Sequence, residues 1–408
     1  MKTPRSWILP VALGAAAVVV LGAAALVVVM LLGGDDEGRD WLAAEWETEV
    51  VEARLQGAPG DLVFPHESGR VAFQTGDQAC VAEVGSAATP TCVALERPFR
   101  VASWSPDGRY LTFTENWSRF FLEPDVWVWD TQRNAVTNLT DDEMEGGADL
   151  DEGNADIYPV FVSDDEIAFM RLVRSGEGAP HASLWTIGVD GGEAREVAAD
   201  VVPLDWFTGG PDVPFSSPTG HDGRWHLVAA DPEGLEPIVI TVTVRTGEVS
   251  TAPLTGDLPD RLSWFIVPDA TGAMVALDQA CGALEQAERC NRWIIDPDAA
   301  TAVSAPPPRD PRLDQEEQGP FHVGFPVSVS PDGSAAAGCF TVRNAGSGLR
   351  GLSLIAVTAL DDPEWTVIAE IDPDVVGGSC AAALAWTDDG IGVPLFDADR
   401  HVYLTPVE

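Results

Sequence analysis

Lysine is all but missing from this chain: Lys2 is the single example, so every cation beyond the N-terminus is an arginine. Basic charge of either kind is scarce, with 23 Lys and Arg against 65 Asp and Glu and a formal net charge of −42. Such a surface repels phosphate backbones, whose binding depends on Lys and Arg releasing condensed counterions, and this excludes nucleic acid as a partner. The imbalance bears on solubility and repulsion rather than on fold. Three chemical signatures are missing too. There is no Cys-x-x-Cys pair of a zinc site, no Gly-x-Ser-x-Gly nucleophile elbow and no Gly-rich phosphate loop.

One long apolar run is present. Residues 11–32 carry no charge, follow Lys2 and Arg5, and precede "GGDDEGRD". About 20 apolar residues span a hydrocarbon core as a helix, and the basic flank stays cytoplasmic. The expectation is a cytoplasmic stub at 1–10, a transmembrane helix at 11–32, a juxtamembrane linker at 33–47 and an exported body at 48–408, all at the cell membrane. A cleaved signal peptide is the rival, although its apolar core usually runs only about 7 to 15 residues. No Cys lies in this region, which excludes lipoprotein modification.

All six Cys fall in the exported part, and an even count in an oxidising compartment points to disulfides. Short spacing favours Cys80 with Cys92 and Cys281 with Cys290, leaving Cys339 with Cys380; free buried thiols are the alternative.

The body repeats. Turn signals followed by an apolar strand read "ESGRVAF" from Glu67, "PDGRYLTF" from Pro106, "SDDEIAF" from Ser163, "HDGRWHLVA" from His221, "PDATGAMVAL" from Pro268, "SPDGSAAAG" from Ser330 and "TDDGIGVPL" from Thr387. Pro presets φ, Asp bonds a nearby amide and Gly takes positive φ, so each signal closes a hairpin. The spacing of about 40 to 60 residues holds a four-stranded antiparallel meander, and "DVWVWDTQRNAVTNLT" supplies the third and fourth strands of the second unit. Meanders of this size bury both faces when arrayed around an axis, as in a β-propeller. The fold class is therefore all-β, a propeller of seven blades, with six or eight the alternatives.

On "WSPDGRYLTF", "DVWVWD" and "NLT" in the second unit and "VSVSPDGS" in the sixth, the chain resembles the TolB-type propeller repeats of exported bacterial proteins. The resemblance runs over residues 60–408, strongly in those two units, and implies a propeller; no counterpart of the extra domain of TolB is read here. The last unit has room for three strands, so its fourth is expected from residues 48–54, "TEVVEAR". A juxtamembrane helix over residues 40–54 is the rival.

Candidate chemistry is sparse. The six His are His66, His181, His221, His226, His322 and His401, and none stands in a recognisable nucleophile setting. In "HDGRWH", His221 and His226 are two metal-ligand types without a third. The acidic stretch 141–156 places Asp149, Asp151 and Asp156 around Gly153, either a loose calcium loop without its twelfth-position Glu or a solvated loop. Asn116-Trp117-Ser118 and Asn138-Leu139-Thr140 match the glycosylation pattern. No residue is assigned as catalytic, cofactor-binding or metal-ligating, and no cofactor is expected. The reading is a membrane-anchored extracytoplasmic module that binds an unidentified protein or peptide. A hydrolase or lyase acting in the propeller funnel is the alternative.

Overall fold

The computed structural model describes residues 41–52, 63–75, 78–95, 99–115, 125–141, 155–173, 181–203, 215–216, 218–230, 236–256, 258, 264–268, 272–278, 292–305, 327–343, 351–360, 364–372, 384–394 and 400–407. Residues 11–32, where a membrane helix is expected, lie outside them. Among the described residues no helix is long and apolar enough to cross a membrane.

Seven sheets follow one another along the chain, and together they form a seven-bladed propeller. Blade 1 comprises Val63–Pro65, Arg70–Thr75, Gln78–Glu83 and Thr91–Ala94; blade 2 comprises Phe99–Trp104, Tyr110–Glu115, Val126–Asp130 and Ala135–Asn138. Blade 3 runs Ala155–Phe161, Glu166–Val173, His181–Gly188 and Arg195–Pro203, and blade 4 runs Thr219–His221, Arg224–Ala230, Pro237–Thr243 and Glu248–Pro253. Blade 5 holds Trp264–Pro268, Met274–Asp278, Arg292–Asp296 and Thr301–Ser304; blade 6 holds Val327–Val329, Ala335–Arg343, Gly351–Ala359 and Thr366–Ile371. Ala385–Thr387, Gly390–Pro394 and Arg400–Val407 begin blade 7. Every turn signal, including the irregular "PDATGAM", falls between the first and second strands of its blade.

Stacked blades leave their inner strands no solvent face. In Tyr110–Glu115 the consecutive residues Leu111, Thr112, Phe113 and Thr114 are all buried, as is the whole of Ala155–Phe161. Each seam between neighbouring blades holds one apolar cluster, so seven clusters replace a single core. The best-matched turns share one chemistry. In blade 2 the buried Ser105 hydroxyl donates to Asp107 Oδ1 at 2.6 Å and accepts the Tyr110 N–H at 2.8 Å, while Asp107 Oδ1 accepts the Arg109 N–H at 3.0 Å. Ser330, Asp332 and the amides of Ala335 and Ser334 repeat that arrangement in blade 6. Gly108 has φ +67°, and a Cβ there would sit 2.9 Å from His66 Cε1 of blade 1.

The ring closes through the N-terminal side, as the three-strand last unit requires. Glu45–Glu52 pairs antiparallel with Arg400–Val407, from Glu45 opposite Val407 to Glu52 opposite Arg400. The rival helix is thereby overturned, because a free edge strand in blade 7 offers ladder hydrogen bonds that a helix would forgo. The strand starts at Glu45 rather than Thr48, and Arg54 lies outside the described residues. Trp41, placed within the expected linker, is buried between blades 6 and 7. Its ring stacks on Trp46 at 6.0 Å and meets Trp386 edge-on at 5.2 Å, and its Nε1 donates to Asp332 Oδ2 at 3.4 Å.

Blade 5 departs from the expected four strands. Phe215–Ser216 pairs parallel with its first strand and Thr255–Gly256 parallel with its last, so the connections before and after blade 4 extend the neighbouring sheet to six strands. Cys80 and Cys92 face each other across adjacent strands and form a disulfide. Cys339 is also disulfide-bonded. Cys281, Cys290 and Cys380 lie outside the described residues.

Two stability outcomes follow from closure. Trp41→Ala should lose about 3–5 kcal/mol, the usual range for truncating a buried Trp, measured by denaturant unfolding. A Cβ on Gly392 of blade 7 would fall 1.8 Å from Val84 Cγ1 of blade 1. Gly392→Ala should therefore destabilise by about 1–3 kcal/mol through overpacking, and adding Val84→Ala should relieve part of that loss.

Candidate functional site

The first strand of each blade lies at its inner end, with Phe215–Ser216 inside it in blade 5, and the first strands of blades 1 and 2, 2 and 3, 3 and 4, and 6 and 7 touch. On the first strand of blade 3, Asp156 stands opposite Arg171. Arg171 donates to it from Nε at 2.7 Å and from Nη2 at 2.6 Å, a bidentate pair with Asp156 fully buried. The guanidinium also lies 4.6 Å from the Trp185 ring centre and 5.5 Å from that of Phe169. Alternation along Glu166–Val173 puts Phe169 and Arg171 on one face, which gathers carboxylate, cation and rings together. Beside the pair the register shifts between Ile157 and Val160, and Tyr158 takes φ +53°, a backbone state that non-glycine residues rarely adopt. Burial pushes the Tyr158 hydroxyl well above the usual phenol range. Asp156 is thus drawn to Arg171 of its own blade; Asp149, Asp151 and Gly153 lie outside the described residues.

Histidine placement is largely structural. His66 is buried, with Nδ1 accepting the Ser68 N–H at 3.0 Å and lying 2.7 Å from Ser68 Oγ, while Nε2 is 3.2 Å from the Pro106 carbonyl of blade 2. These partners fit the neutral tautomer with its proton on Nε2. A serine within reach of a histidine resembles an activated nucleophile. Here, however, the Nδ1 lone pair already receives a backbone amide two residues away, so the contact belongs to a turn. Burial lowers the His66 pKa, with Arg70 adding to the effect against Glu67.

His226 is buried on the second strand of blade 4, with Nδ1 3.0 Å from Thr241 Oγ1 and Nε2 3.6 Å from Asp298 Oδ1 of blade 5. Arg224, two residues earlier, pairs with the same Asp298 across the seam. Burial lowers the His226 pKa, opposed by Asp298 and Asp296 and reinforced by Arg224 and His221. His221 is exposed, and its Nε2 lies 3.2 Å from Asp222 Oδ2. The "HDGRWH" pair is therefore split between a surface turn and a buried seam. Among the described residues no three His, Cys, Asp or Glu side chains are placed to share a metal ion. The backbones of His181 and His401 are in strands, their side chains are outside the description, and His322 lies outside the described residues.

Arginine after the turn glycine is the role that sequence reasoning missed. Arg70 of blade 1 donates to the Gly108 carbonyl and, at 3.0 Å, to Thr131 Oγ1 of blade 2; Arg224 reaches Asp298 of blade 5; Arg109 pairs with Asp130 at 2.6 Å inside blade 2. The Gly-Arg recurrence at 69–70, 108–109 and 223–224 was its visible signal. Asn138-Leu139-Thr140 is structural too, since Thr140 Oγ1 accepts the Val126 N–H at 2.9 Å and Asn138 Nδ2 donates to Asp125 Oδ2 at 2.7 Å. Asn116-Trp117-Ser118 lies outside the described residues.

No protein-family model matches the chain, and no curated protein matches it. Similar solved structures are propeller proteins of several kinds. TolB from Acinetobacter baumannii shows 16% identity and a TM-score of 0.41 over 76% of this chain, which spans 64% of the length of that TolB chain. Virginiamycin B lyase from Staphylococcus aureus shows 12% identity and a TM-score of 0.48 over 89% of this chain and 100% of that chain. An acylaminoacyl peptidase from Pyrococcus horikoshii shows 11% identity and a TM-score of 0.43 over 81% of this chain and 51% of that chain.

The two buried His predict a pH dependence. Lowered folded-state pKa values mean that the unfolded chain binds more protons between those values and the ordinary His value near 6.5. The stability contributed by these two His should therefore fall as pH drops below about 6.5 and level off once their folded-state values are passed. His226→Gln and His66→Gln should each flatten the melting temperature against pH across that window; an unchanged slope in both would remove the assignment.

Proposed function

We propose that the protein is a membrane-anchored binding module, held by residues 11–32 with its N-terminus in the cytoplasm, whose propeller stands outside the cytoplasm and binds a protein or peptide. The observation that supports this reading is the structural employment of four buried titratable groups among the described residues. His66 holds a turn against blade 2, Asp130 receives Arg109 and two turn amides, Asp156 receives Arg171, and His226 bonds Thr241 at the seam with blade 5. Groups spent on seams and turns build a rigid scaffold. Recognition then falls to its connections and outer edges, where loops and exposed strands meet partners.

Three measurements test the reading on the full-length chain. Protease added to intact spheroplasts should degrade the propeller and leave a small membrane-bound fragment; survival of the propeller until the membrane is opened overturns the orientation. Crosslinking in the native membrane should capture a discrete protein or peptide. Turnover of generic ester, peptide or glycoside substrates that a single funnel-facing carboxylate or His substitution abolishes would replace the binding reading with an enzymatic one.

A further inference from the structure

The outermost strand of each blade is a sheet edge with unpaired backbone groups, which proteins usually blunt. Six blades here do so. Thr91–Ala94 and Ala135–Asn138 are four residues each, and the Cys92 carbonyl of the former accepts Asn134 Nδ2 from blade 2 at 3.3 Å. Bulges break the outer strands of blade 3, twice, and of blade 6. Thr255–Gly256 covers the edge of blade 5, and blade 7 presents the exposed carboxylates Glu45, Glu47 and Glu49.

Among the described residues blade 4 carries such devices only at the two ends of its outer strand, Glu248 and Pro253. All six residues of Glu248–Pro253 are exposed, Val249 by 45%, their register with Pro237–Thr243 is unbroken, and no charge follows Glu248. The Leu254 N–H donates inward to the Pro237 carbonyl at 2.8 Å. Alternation therefore turns the N–H and C=O of Val249 and Thr251 outward. Pro253, of the same parity, offers a carbonyl alone, which fits an edge position.

We propose that this edge docks an extended, cationic segment of a partner protein, which adds to blade 4 as a fifth strand. The proposal rests on the binding-module reading and names its partner class and place. Main-chain hydrogen bonds to Val249 and Thr251 supply the affinity, in the mode of strand addition. Charge selects the occupant. A chain of net charge −42 attracts a basic segment, whereas a second copy would bring the same negative charge to the edge.

The probe is a fluorescent peptide of alternating Lys and Val, titrated by anisotropy against the full-length chain in detergent. Binding is expected, lost with Glu in place of Lys, and weakened by about tenfold or more by N-methylation of alternate peptide amides or by Thr251→Pro, which removes one outward N–H and spares the inner ladder. Undiminished affinity in both of those cases means adsorption to acidic surface and overturns the proposal, as does no binding at all. A chain that is dimeric and becomes monomeric with Thr251→Pro makes a second copy the occupant and likewise overturns it. If Thr251→Pro does not fold, the N-methylated peptide decides alone. A crosslinked native partner that Thr251→Pro still captures would leave the binding-module reading standing and remove only the edge.

Discussion

Every blade has two apolar faces, and only its neighbours can cover both. A strand such as Tyr110–Glu115, with successive residues buried, is viable only between two other sheets. An open row of seven such units would leave bare faces on the first and last, so the last seam carries the rest. That seam joins Val71, Phe73 and Cys80 of blade 1 to Ala385 of blade 7. Gly392 lets blade 7 come close enough to seat Val84, and Glu45–Glu52 ties the two ends of the fold into one sheet. Burial by area is worth roughly 25 cal/mol per Å², but here it is collected only when the circle is complete.

Polar groups then fix the blades in rotation. Apolar seams are non-directional, whereas Arg70 on the Gly108 carbonyl, Arg224 on Asp298 and His66 on the Pro106 carbonyl each require one alignment of adjacent blades. Many carboxylates serve the turns. Asp130 and Asp296 each accept two backbone N–H groups at the hairpin after the third strand. For Asp130, burial pushes the carboxyl up, but Arg109 and those amides outweigh it and hold the pKa below its ordinary value. The acidity of the chain is thus partly architectural.

The repeat count was legible because turn chemistry is local: Asp, Gly and a following apolar strand suffice to mark a hairpin, even where "PDATGAM" spreads the signal. Strand supply from the N-terminal side was legible by subtraction from blade 7. Burial of Trp41 was not, since an aromatic beside an apolar run also suits a membrane interface. The parallel additions Phe215–Ser216 and Thr255–Gly256 were illegible for a different reason, because two-residue pairings arise from where the ring brings connections rather than from any periodicity of their own. The same holds for Asp156 with Arg171 and for His226 with Asp298. Each joins residues whose meeting depends on registers and seams that no single window of sequence contains.

These departures from symmetry gather on one side of the ring. The connections on either side of blade 4 are both given to blade 5, one on its inner strand and one on its outer. Arg224 and His226 of blade 4 also meet Asp298 of blade 5 across the same seam. Blade 4 is therefore tied to blade 5 at both ends of its own chain segment and through its seam, yet among the described residues its outer strand is paired in a sheet on one side alone. A ring of similar blades has many similar edges, and the ties to blade 5 make that of blade 4 differ from the rest. In the proposed binding module, rigid attachment behind this edge would present a docking segment with a strand already ordered, so that the segment would lose only its own freedom on binding.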